Sequence, residues 1–154
     1  MDTITAIAMS FQSPLLTAVG LFFDSALIYS GLLFAIIFIG ERRNEKRRKI
    51  FLSLFLAFVI ASIVKMAFAI ERPCVGDYTC PNDYSFPSLH AATAFTLMIG
   101  FLNKKNFQWF LLFALIISFT RLNLGVHTFH DIAAALPVAL VSYYLTDTIW
   151  RKMK

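Results

Sequence analysis

Two stretches of the chain, from Ser25 to Gly40 and from Ile50 to Ile70, carry a single charged side chain between them, Lys65. A helix needs about 20 apolar residues, roughly 17 to 25, to cross the hydrocarbon core of a bilayer, and runs of this kind have few other uses. Composition agrees: of 154 residues 58% are hydrophobic and 15% charged, against about 25% charged in a soluble domain. A membrane protein is expected, with room for about five or six spans in one small bundle.

The expected fold is therefore all-α, a polytopic bundle of five transmembrane helices, with six as the alternative, behind an N-terminal amphipathic helix. Residues 1–154 are expected to form one membrane-embedded domain, with 1–23 as the interfacial segment and 24–150 as the transmembrane core. The first segment mixes apolar residues with Asp2, Thr3, Thr5, Ser10, Gln12 and Ser13 and is interrupted by Pro14, which suits a helix lying in the interface more than one crossing it. It lacks the small-residue cleavage site of a signal peptide and is expected to be retained. Spans are expected over 25–40, 50–70, 88–102, 107–122 and 130–150. Between the second and third, the prolines at 73, 81 and 87 with Glu71, Asp77 and Asp83 mark 71–87 as a loop.

A net charge of +5 does not point to nucleic acid here, because the basic residues stand in short clusters beside apolar runs. Six Lys and Arg fall in 41–49, two in 103–106 and three in 151–154, so one side of the bundle receives eleven of the fourteen. That side is expected to be cytoplasmic and to hold the C-terminus. Lys65, Arg72 and Arg121 are left near the opposite face with all three histidines. Cys74 and Cys80 share that side's loop and would bridge in an oxidising compartment; two unpaired thiols are the alternative. With only two cysteines a structural zinc site is not expected.

Four helix ends meet on the outer side, and ionisable groups beside apolar spans are functional candidates by default. Lys65 and Arg72 are seven apart, so continued helix would put both on nearly one face; alone, Lys65 could equally snorkel to the interface. Pro87 and Ser88 read as a helix start, where free backbone N–H groups favour an anion, although capping is the commoner task of such a serine. His90 follows within the first turn. His127 and Asp131 stand at i and i+4, neighbours if the last helix includes both, and a carboxylate on one ring nitrogen leaves the other to act as base or nucleophile. His130 points elsewhere on that wheel. A metal bound by His90, His127, His130 and Asp131 is the competing reading, but three cations would repel it and suit an anion with several oxygens.

Three segments, "KMAFAIERP" from Lys65 to Pro73, "PSLH" from Pro87 to His90 and "TRLNLGVHTFHD" from Thr120 to Asp131, resemble in order and internal spacing the KxxxxxxRP, PSGH and SRxxxxxHxxxD motifs of the type 2 phosphatidic acid phosphatases. These are integral-membrane lipid phosphatases related to vanadium haloperoxidases. The resemblance implies that His127 is the nucleophile, Asp131 the group that orients it, and His90 the general acid. Lys65, Arg72, Ser88, Leu89 and Arg121 would hold the phosphoryl oxygens. It implies no metal and no cofactor, a membrane lipid substrate such as a polyprenyl diphosphate, phosphatidic acid or phosphatidylglycerol phosphate, and a multi-pass protein of the cell membrane with its site on the extracytoplasmic side. A lipid phosphotransferase, or a non-catalytic protein that binds or transports an anion, are the alternatives. Leu89 stands where the family has glycine and Thr120 where it has serine. Many members have a further span ahead of the amphipathic segment, and this chain is expected to begin without it. The topology predicts that Cys74, after reduction, reacts with a membrane-impermeant thiol reagent applied from outside intact cells; labelling from the cytoplasm alone would reverse it.

Overall fold

The structure, a computed structural model, describes residues 2–74 and 80–153; Asp77 of the expected loop and Lys154 of the basic tail lie outside them. Among the described residues there are seven helices and no strand: α1 (Thr3–Ser10), α2 (Pro14–Asp24), α3 (Ala26–Gly40), α4 (Asn44–Phe68), α5 (Leu89–Gly100), α6 (Phe107–Asn123) and α7 (Phe129–Lys152).

Helix starts follow local chemistry. The Asp2 carboxylate accepts the Thr5 N–H at 2.8 Å at the head of α1, and Ser13 accepts Leu16 N–H at 3.2 Å with Pro14 in the first turn of α2. The N-terminal segment, expected as one amphipathic helix, is two helices bent by 114°. Pro14 explains the break, since its ring cannot follow a helical residue without clashing one turn back. α4 begins before the expected 50 because "NEKRRK" is itself good helix-forming sequence and continues the span beyond the apolar run. It ends at Phe68, where Ala69 turns left-handed (φ 47°) and returns its N–H to Lys65 O. Lys65 and Arg72 therefore do not share a helix face; Arg72 leaves the extended chain beyond the cap.

α5 sits at the centre, packed against α4, α6 and α7, with α1 and α2 laid on α6. Small residues let these helices approach closely: Ala57, Ala61, Ala91, Ala92, Ala94, Ala135 and Ala139 are fully buried. A second cluster joins Tyr29, Leu33 and Ile37 of α3 to Leu97, Phe101, Phe110 and Ile117, with the Phe101 and Phe110 rings stacked 4.0 Å apart. Phe55, Phe58, Ile63, Met66 and Phe68 of α4 face outward, as expected of a surface bathed in lipid.

The chain is an all-α membrane protein. By length and composition α4 and α7 can each cross a bilayer, and the bent α1–α2 pair would make a third; α3, α5 and α6 are shorter apolar helices. The two ends of the bundle differ in chemistry. At one end Lys104 pairs with buried Glu41 at 3.0 Å, and Lys49 with Asp147. The opposite end gathers the polar residues described below.

Gly20 of α2 lies where a Cβ would come within 2.7 Å of the buried Leu124 side chain, whereas a Cβ on Gly31 would meet nothing within 4 Å. Gly20→Ala is expected to cost about 1–3 kcal/mol through overpacking and to lower the thermal unfolding midpoint in detergent. Gly31→Ala, inside α3, should leave the midpoint unchanged or raise it.

Candidate active site

At that opposite end, a cavity of about 220 Å³ is lined by Asp24, Lys65, Arg72, Pro81 and Asp83 together with Leu89, His90, Arg121 and His127. Six of the expected phosphate-binding and catalytic residues, Lys65, Arg72, Leu89, His90, Arg121 and His127, thus meet in one space, delivered by α4 and the extended chain after it, α5, α6 and the turn before α7. Ser88 and Asp131 lie behind it. His130 does not take part: its ring is exposed and its Nδ1 is 3.8 Å from Asp2.

His127 stands in the turn ahead of α7, not on the helix, so its approach to Asp131 comes from the cap and not from an i, i+4 helical face. Its Nε2 lies 3.1 Å from Nη1 of Arg72. A guanidinium only donates, so Nε2 is the acceptor and the ring proton sits on Nδ1. That nitrogen faces Oδ2 of Asp131 at 3.5 Å, longer than the roughly 2.7–3.2 Å of a formed N–H···O bond, and it makes no hydrogen bond. Burial pushes the His127 imidazole down to about 4; the Asp131 carboxylate opposes the shift and Arg72 adds to it. The ring is a neutral base at neutral pH.

Asp131 does more than orient an imidazole. Its Oδ2 accepts the Thr128 N–H at 2.6 Å, completing a capping box with the Thr128 hydroxyl, and it also accepts the Ser85 hydroxyl. Its backbone carbonyl takes the Ser88 N–H at 3.1 Å. Ser88 is fully buried and caps α5, its Oγ accepting from Ala91 N–H at 3.5 Å.

Arg121 is 1% exposed, donating to Asp24 Oδ1 and to Gly20 O, each at 2.5 Å. It ties α2 to α6 while lining the cavity. Lys65 donates to Asp83 Oδ2 at 2.9 Å and to Tyr84 O. Arg72 donates from Nε to Asp83 Oδ1 at 2.9 Å and from Nη2 to the same oxygen at 2.5 Å. Asp24, Asp83 and Ser85 are thus site residues that the motifs do not contain. Asp83 was visible only as an acidic residue of the loop, and Asp24 only as the edge of an apolar run.

His90 packs its ring 4.6 Å from that of Tyr29, whose hydroxyl donates to His90 O at 2.9 Å. His90 and Leu89 also line a second, apolar cavity of about 350 Å³ with Tyr29, Leu33 and Phe58. Leu89 therefore stands on the boundary between a charged space and an apolar one. Cys74 and Cys80 are disulfide-bonded, with Cα atoms 5.7 Å apart. Among the described residues no group of three or more His, Cys, Asp or Glu is placed to hold a metal ion.

Residues 46–153 match the model of the PAP2 superfamily. Two solved structures share the fold: LpxE of Aquifex aeolicus, 24% identical, with 94% of this chain and 93% of that one covered and a TM-score of 0.74, and the membrane PAP2-type phosphatidylglycerolphosphate phosphatase of Bacillus subtilis, 18% identical, with 98% and 84% covered and the same TM-score of 0.74. No curated protein matches this chain.

Because the folded His127 pKa lies below the ordinary imidazole value of 6.5, the unfolded chain binds the proton more readily. Stability contributed by the neutral ring is complete above that value and is lost as pH falls from there toward about 4. Wild type is therefore expected to lose more stability than His127→Gln over that interval, measured by chemical unfolding in micelles; equal slopes would refute the assignment.

Proposed function

This chain belongs to the PAP2 superfamily, and we propose from that premise that it is an integral-membrane lipid phosphatase hydrolysing a phosphate or diphosphate ester through a phosphohistidine. The observation that carries the reading is the adjacency of two cavities: one lined by Lys65, Arg72, Arg121, His90 and His127, the other apolar, with Leu89 and His90 belonging to both. A molecule with a phosphate joined to a hydrocarbon chain fits that pairing. One structural neighbour is named a phosphatidylglycerolphosphate phosphatase, which agrees with a lipid phosphate; polyprenyl diphosphate, phosphatidic acid and phosphatidylglycerol phosphate are all candidates.

In the proposed reaction Nε2 of His127 attacks phosphorus, forming an N–P bond as the P–O bond to the lipid breaks. The departing oxygen takes a proton from His90, which lies on the boundary with the apolar cavity and so beside the lipid portion. His90 then removes a proton from water, which attacks the phosphohistidine and frees phosphate. Asp131 stabilises the ring as it gains charge. Lys65, Arg72 and Arg121, with the backbone N–H of Leu89 at the head of α5, hold the phosphoryl oxygens where negative charge develops. The chemistry asks for neither metal nor cofactor.

The placement we propose is five spans, α3 to α7, with the cavity extracytoplasmic and the C-terminus cytoplasmic. Supporting it, the basic turns lie at one end, while Asp24 at the end of α2, just ahead of α3, and the disulfide-bonded Cys74 and Cys80 lie at the other. The α1–α2 pair then remains on the outer side, folded against α6.

Purified protein in detergent, given a panel of prenyl diphosphates and glycerophospholipid phosphates with no added acceptor, should release phosphate from at least one. His127→Ala should reduce that rate by a factor of about 10³ or more, and chelators should leave it intact. Full activity in His127→Ala would end the mechanism, and release only on adding an acceptor alcohol would make the protein a phosphotransferase.

A further inference from the structure

The two cations of the first motif are already engaged by a carboxylate of the chain itself. Asp83 places Oδ2 2.9 Å from Lys65 Nζ and Oδ1 2.9 Å from Nε and 2.5 Å from Nη2 of Arg72. These are the short, charge-assisted contacts that a phosphoryl group would make to the same donors. Although partial burial works to raise it, the hydrogen bonds from Lys65 and Arg72 hold the Asp83 carboxyl below its usual range, so it stands there as an anion.

Counting donors shows what this costs an incoming phosphate. Lys65 has three N–H groups, and two are given to Asp83 and Tyr84 O. Arg72 has five. Its Nε is shared between the carboxylate and the backbone oxygen of Asp83, one Nη2 hydrogen goes to Asp83, and Nη1 serves Val126 O at 3.1 Å and His127 Nε2 at 3.1 Å. Each cation keeps one donor, which is too few for two-point binding by Arg72. A phosphate bound there with Asp83 in place would also set like charges within a few ångströms of each other.

The last of those contacts matters most, because Arg72 donates to the nitrogen that has to attack. While Asp83 grips one side of the guanidinium, the other side stays on His127 Nε2 and occupies its lone pair. We propose that Asp83 is an internal competitor of the phosphoryl group: its carboxylate closes the site by holding Arg72 on His127, and phosphate opens it by taking the carboxylate's place on Lys65 and Arg72. Substrate binding and release of the nucleophile are then one exchange. Asp83 is a positioning residue that acts through Arg72, with its side chain half exposed and so free to swing away. The inference rests on the phosphatase reading, since it takes Lys65 and Arg72 to bind phosphate and His127 Nε2 to attack it.

Orthovanadate inhibition of the purified full chain tests both. Asp83→Asn keeps the size and removes the charge; it is expected to lower the vanadate concentration for half-inhibition about tenfold, as expected for relief of a partly screened like-charge contact, and to raise kcat/KM through a lower KM. Asp83→Glu, which retains the charge, should keep wild-type sensitivity. If Asp83 merely braces Lys65 and Arg72, then Asp83→Asn will weaken vanadate binding and raise KM, and the inference is overturned; unchanged half-inhibition overturns it as well. Asp83→Ser serves if Asp83→Asn does not purify as a folded protein. A wild-type enzyme indifferent to vanadate would instead remove the phosphate-site reading on which the inference stands.

Discussion

One carboxylate, that of Asp131, holds four parts of the molecule in register. It closes the N-terminus of α7 through Thr128 N–H, draws in the loop through Ser85, and faces the imidazole of His127, while its backbone oxygen takes Ser88 N–H and so fixes where α5 begins. A buried charge is tolerated only with several partners, and this one takes hydrogen bonds from two segments, the turn before α7 and the loop before α5. The cavity is in that sense a by-product of a helix cap. Were the cap to fray, the nucleophile, the head of α5 and the loop would lose their common reference together.

Charge elsewhere in the site is nearly balanced before any substrate is considered. Arg121 meets Asp24, and Lys65 and Arg72 meet Asp83. In a low-dielectric setting unpaired cations would be costly to fold around, so carboxylates that neutralise them stabilise the bundle. The same carboxylates oppose an anionic ligand. Stability and substrate affinity therefore pull on the same three cations, and the half-exposed Asp83 is the partner most easily exchanged.

Much of this was legible in the sequence. Apolar run length located α3 and α6 to within a residue or so, and the three motifs named Lys65, Arg72, Leu89, His90, Arg121 and His127, all of which line one cavity. Ser88 and Asp131 were also named, but they support the site from behind through caps. What was hidden depends on contacts between segments far apart in the chain. Asp24 and Arg121 are 97 positions apart, and neither spacing nor periodicity links them. The bend between α1 and α2 was masked by an overall amphipathic composition. The shared face that continued helix would give Lys65 and Arg72 does not form, because Ala69, an ordinary helix former, adopts a left-handed cap that no propensity signals.

The shortness of α5 bears on depth. Twelve residues rise about 18 Å, while the hydrocarbon core is about 30 Å thick. With the turn after Gly100 level with one membrane surface and the helix along the membrane normal, His90 near its other end stops about 15 Å beneath the opposite one. The proposed chemistry would then happen below the membrane surface, where the charged cavity meets the apolar one at Leu89 and His90. A lipid phosphate of the proposed kind would have to sit lower than its neighbours in the leaflet to reach that depth, and the water that completes the reaction would have to follow it.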